Sequence, residues 1–139
     1  MQVWEWLSAF QRSSKRLVLD GQGGIGREYA NKLGFNDFGR QVVMHKWSTC
    51  QVDQVDVLYD DDGNGFLDES LQSIVHDPSD RKMVGAALEA IRVFGEAVIA
   101  NASDTDWYDW DAALLVAGVA VEQILPEWSR AKYNEKRSA

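Results

Sequence analysis

Apolar residues at Val3, Trp6, Leu7 and Phe10 recur at the three-to-four spacing of an amphipathic helix, which Ser13-Ser14-Lys15-Arg16 closes. Leu17-Val18-Leu19 is a short apolar run ending at Asp20-Gly21, the pattern of a buried strand. A glycine-rich turn, Gly21 to Gly26, leads into a short helix over Arg27 to Leu33, ended by Gly34. Asp37 to Trp47 reads either way: Phe38, Val42, Val43 and Trp47 fit a helix, whereas Val42-Val43-Met44 fits an extended segment. Val55, Val57 and Tyr59 alternate with polar neighbours and predict a strand over Val52 to Tyr59, followed by a polar loop from Asp60 to Asp68. Asp77-Pro78-Ser79-Asp80 is a helix start, with Asp77 as N-cap, Pro78 at the first helical position and Asp80 at the third. Val84, Ala87, Leu88 and Ile91 form the expected buried stripe of that helix. Ala97 to Ala100 reads as a strand and Trp107 to Val116 as a helix. Val119 to Leu125 is a last strand if Gly118 ends that helix, and otherwise continues it.

Helices thus alternate with short apolar strands, which predicts helices packed around a mainly parallel sheet. The 139 residues suffice for one domain, expected over 1–126, with 127–139 as a charged C-terminal tail. A hydrophobic content of 45% excludes intrinsic disorder. No apolar run approaches the roughly 20 residues of a membrane span, and no basic segment precedes a long apolar stretch, so a cytoplasmic protein without a membrane role is expected. The single cysteine, Cys50, allows neither an internal disulfide nor a cysteine zinc site.

A formal net charge of −8 argues against indiscriminate coating of DNA, which needs a basic surface. The acids can serve solvation, cation binding through hard oxygen ligands, or mimicry of nucleic acid. Two motifs fall short of their usual meaning. Gly21-x-Gly23-x-x-Gly26 matches a dinucleotide fingerprint, but no acid ends a second strand where the ribose needs one; a glycine-rich turn suffices. Asp60 to Asp68 matches nine positions of a calcium loop, but the twelfth, which should be a bidentate carboxylate, is Leu71. His45, His76 and Cys50 have no partner motif, and the six tryptophans fall mostly on apolar faces. Asp104 and Asp106 lie between a strand end and a helix start, where open parallel sheets bind ligands and where helices also need caps. Asp80 and Glu28 sit in comparable places.

Three segments together carry a resemblance: Leu17-Val-Leu-Asp-Gly to Gly26-Arg-Glu-Tyr29, Asp77-Pro-Ser-Asp-Arg-Lys-Met-Val84 and Asn101-Ala-Ser-Asp-Thr-Asp-Trp107. The chain resembles the PIN-domain nucleases over roughly residues 3 to 125. The resemblance implies a three-layer α/β/α sandwich and an acidic pocket holding Mg²⁺ or Mn²⁺ for hydrolysis of RNA phosphodiesters. It assigns Glu28, Asp80, Asp104 and Asp106 as catalytic and metal-binding residues. It also implies, more remotely, an inhibitor partner of the kind found in toxin–antitoxin pairs. PIN domains open with a strand ending in an aspartate, for which these residues offer no counterpart. The expectation is therefore a metal-dependent nuclease or a degenerate, inactive relative, with an exposed sheet edge open to an inhibitor protein or a second copy. The rival expectation is a non-catalytic, acidic inhibitor or immunity-type protein that docks on a basic partner.

Overall fold

A computed structural model describes residues 3–32, 34, 37–101, 104, 106–124 and 135. Apart from Glu135, the expected tail lies outside the described residues. Helix α1 (Val3–Arg12) precedes strand β1 (Leu17–Asp20), helix α2 (Gly24–Lys32) and helix α3 (Phe38–Ser48). Strand β2 (Val52–Val55) pairs with β1 in parallel, Leu17 opposite Val52 and Asp20 opposite Val55. Helix α4 (Glu69–Ile74), a 3₁₀ turn (Pro78–Asp80) and helix α5 (Arg81–Phe94) lead to β3 (Val98–Asn101). Helix α6 (Asp106–Val116) then returns the chain to β4 (Ala120–Gln123), which pairs in parallel with β3.

The chain is therefore mixed α/β, with parallel strands in two two-stranded sheets, β1–β2 and β3–β4. Helix α5 packs against β1, β2 and β3 and joins the halves. Its Ala86 and Ala90 sit in one apolar cluster with Leu19, Ile25, Val55 and Val57. Its Val84 and Ala87 sit in a second, with Leu67, Leu71, Val75, Trp107, Trp110 and Leu114. Met83 packs against both. The buried stripe includes Val84 and Ala87 as expected, but Ala86 and Ala90 replace Leu88 and Ile91, which are only partly buried. The small alanines let the helix lie close to strands on either side.

Local chemistry accounts for where several elements begin. Helix α2 starts at Gly24 rather than Arg27 because the buried Asp20 carboxylate accepts from Gly24 N–H at 2.8 Å and Ile25 N–H at 2.7 Å. That carboxylate fills the place a dinucleotide pyrophosphate would need at the helix start, so the glycines serve a turn. The 37–47 ambiguity resolves as helix, with the Asp37 carboxylate accepting from Gly39 N–H. Strand β2 ends at Val55; Tyr59 instead bridges to Gly65 across the polar loop. Within that loop Asp60 accepts from Asp62 and Asn64 N–H, and Asp68 caps α4 at Leu71 N–H, so these acids hold a turn and a helix end. Gly65 is buried against the start of α5: a Cβ there would lie 2.5 Å from Lys82 N. Lys46, fully buried, ties α3 to the segment after α1, its ammonium donating to the Ser13 and Lys15 carbonyls at 3.1 and 2.6 Å and lying over the Phe10 ring.

Candidate metal centre

The segment Asp77 to Lys82 places each of its charged side chains differently. Asp77 caps the 3₁₀ turn, accepting from Ser79 N–H at 3.0 Å and Ser79 Oγ at 2.7 Å. Asp80 is buried, its Oδ2 is enclosed, and its carboxylate does not cap α5. Arg81 turns inward, donating to the Val75 and Gln72 carbonyls at the end of α4. Lys82 reaches Glu28 on α2 at 3.1 Å and the Ser79 carbonyl at 2.5 Å.

The second half of the site comes from β3. Buried Asn101, its last residue, donates to the Asp104 carbonyl at 2.7 Å and to Gln123 Oε1 on β4 at 2.7 Å, while its Oδ1 accepts from Asp104 N–H. This clamp fixes the bend after the strand. Asp104, exposed, then accepts from Asp106 N–H at 2.9 Å and so positions the first residue of α6. Behind it, Trp107 and Trp110 pack edge to face at 5.0 Å in the core, and His76 meets Trp110 edge to face at 5.2 Å.

These two constructions bring Asp77, Asp80 and Asp106 together, with one carboxylate oxygen from each within 4.8 Å of the others. Asp77 and Asp106 are half-buried and Asp80 is buried. The starts of α5 and α6 meet at this point, and their N-terminal dipoles offset part of the repulsion among three carboxylates. Three hard oxygen donors at this spacing suit a hard cation and do not suit a soft metal.

Of the four acids expected from the sequence, Asp80 and Asp106 enter the cluster. Glu28 is held by Lys82 outside it, and Asp104 serves as a helix-start acceptor. Asp77 is the added member. Its sequence signal was that of an N-cap, a function it does perform, and nothing in the spacing distinguishes a cap that also faces a cluster. Among the described residues no helix is long and apolar enough to cross a membrane. No family model matches the chain, and neither a curated protein nor a solved structure matches it.

Proposed function

We propose that the chain is a metal-dependent, PIN-like nuclease that hydrolyses RNA phosphodiesters, with its cation held by Asp77, Asp80 and Asp106. The observation that supports this reading most is the convergence of those three carboxylates, from two segments 26 residues apart, at the meeting point of two helix starts. The donor set fits Mg²⁺ or Mn²⁺. A divalent cation so bound supplies Lewis-acid stabilisation of phosphoryl charge and a more acidic water. The protein's own contribution is positional. Asn101 and Asp104 set the direction of Asp106, the 3₁₀ turn sets Asp77 and Asp80, and the Trp107–Trp110 core keeps the two helix starts in place. Glu28 acts in this scheme through Lys82, one side chain away from the Ser79 carbonyl.

We propose that the two sheets are halves of the mainly parallel sheet of a three-layer α/β/α sandwich, which their shared packing on α5 supports. Leu17 and Gly21 N–H donate toward β2, so the backbone of Val18 points to the opposite edge of β1. That edge, and the edge of β3 opposite β4, are the proposed contacts for an inhibitor protein or a second copy. The rival reading, an acidic docking protein, draws on the net charge of −8 and the exposed Asp61 and Asp62.

Cleavage of labelled single-stranded and structured RNAs with Mn²⁺, Mg²⁺ or EDTA tests the nuclease. Cleavage is expected with either metal, abolished by EDTA, and reduced on the order of 10²-fold or more by Asp80→Asn or Asp106→Asn. Absence of cleavage by the folded wild-type chain, or cleavage indifferent to both substitutions, rejects the reading.

A further inference from the structure

An open cleft of about 660 Å³ lies between α2 and the turn after Tyr59, lined in part by Arg27, Glu28, Asn31, Tyr59 and Lys82. In a chain of net charge −8, the cleft gathers two cations against one carboxylate, and that carboxylate is already paired with Lys82.

The donors are arranged for an anion. Arg27 and Asn31 are one helical turn apart on α2, so their side chains share a face. Arg27 is exposed, and one guanidinium nitrogen makes a long 3.3 Å bond to the Gln22 carbonyl. A guanidinium carries five N–H donors, so most of its fork is available to a ligand. Gln22, by contrast, is spent: its amide donates to the Val57 carbonyl and accepts from Val57 N–H. The Tyr59 hydroxyl donates to Asp20 at 2.5 Å, and burial, followed by that hydrogen bond, raises its pKa, so the ring forms a neutral wall. The first N–H groups of α2 belong to Asp20, so the anion would be held by side chains and not by the helix end.

We propose that this cleft binds a backbone phosphate of the RNA strand, with Arg27 as its forked donor and Lys82 shared between that phosphate and Glu28. The inference rests on the nuclease reading for the identity of the strand, while the cleft's geometry is independent of the acid cluster. Lys82 connects the two, since it follows Asp80 by two residues and lines the cleft.

The test is fluorescence anisotropy of a 5′-labelled, 12-nucleotide single-stranded RNA of mixed sequence, in EDTA so that binding is read without cleavage. Arg27→Gln and Lys82→Gln are each expected to weaken binding roughly five- to tenfold. Each should also lower the slope of log affinity against log salt by about 0.7, the loss of one phosphate contact on a single strand. Lys15→Gln, on the exposed segment after α1, should bind as wild type. Thermal melts establish that each variant is folded, and exposed Arg27 carries the test if Lys82→Gln does not fold. Wild-type affinity and slope in folded Arg27→Gln overturn the cleft assignment and leave metal-dependent cleavage standing. Lost binding in Arg27→Gln together with no cleavage by the wild type upholds the cleft and rejects the nuclease. Binding of inorganic phosphate that is lost in Arg27→Gln, with no binding of the RNA by the wild type, overturns the RNA assignment in favour of a small phosphate ligand.

Discussion

Asp20 shows how one residue can look like a site and be structural. It ends a buried strand beside a glycine-rich turn, as a ligand would, yet its carboxylate takes Gly24 N–H, Ile25 N–H and the Tyr59 hydroxyl. Burial alone would raise its pKa, but those three donors outweigh burial and the folded-state value lies below the ordinary one. A carboxyl with a depressed folded pKa contributes stability that is present above its unfolded pKa. That contribution is lost as pH falls through the folded value. The melting temperature of the wild type is therefore expected to fall on acidification below about pH 4, the ordinary range of an aspartate. Asp20→Asn should melt lower at pH 7 and show a shallower decline across the same window. Parallel melting curves from pH 2.5 to 7 check this, and equal slopes in the two proteins would remove Asp20 from the account. The acids at Asp80 and Asp106 were legible from their places before helices, because helix starts and strand ends are local patterns. Asp77 was legible only as a cap, since its approach to Asp106 depends on packing across 29 residues of chain.

At the level of elements, the docking of the 59–65 turn on α5 sets the site's geometry, and Gly65 is what permits it. A Cβ at this position would fall 2.5 Å from Lys82 N and 2.7 Å from Arg81 C, backbone atoms that cannot rotate aside. Gly65→Ala must push the turn off α5 or displace the residues that follow Asp80. A loss of about 1–3 kcal/mol, the usual cost of overpacking, is expected in urea unfolding, with weakened RNA cleavage in the surviving folded fraction. An unchanged midpoint would mean that the turn is not tightly seated. Periodicity captured α1, β1, α5 and α6 because each has an apolar stripe or run of its own. It missed α4, six residues with little apolar signal, which Asp68 and the Arg81 bonds to the Val75 and Gln72 carbonyls hold in place. It also missed the division into two sheets, because pairing partners lie 35 and 22 residues apart and no local pattern states which strands meet.

For the whole molecule, the proposed cation site implies that the cluster is a cost without a cation and a gain with one. Three carboxylates with oxygens within 4.8 Å of one another repel, and the starts of α5 and α6 offset only part of that repulsion. A ligand that binds only the folded chain stabilises it by RT ln(1 + [L]/Kd), about 2.7 kcal/mol at one hundred times Kd. For a domain of 139 residues this corresponds to a rise of roughly 10 °C in melting temperature. Asp80→Asn should reverse the order of the two proteins with conditions. In EDTA it removes one of three like charges and should melt no lower than wild type. In saturating Mn²⁺ the wild type should gain those degrees while the variant gains far less. A crossover in paired scans separates a cation site from a merely structural cluster, because a structural aspartate would lower the melting temperature on substitution whether or not metal is present. Equal shifts in both proteins would place the cation elsewhere and leave Asp77, Asp80 and Asp106 as helix-start acids alone.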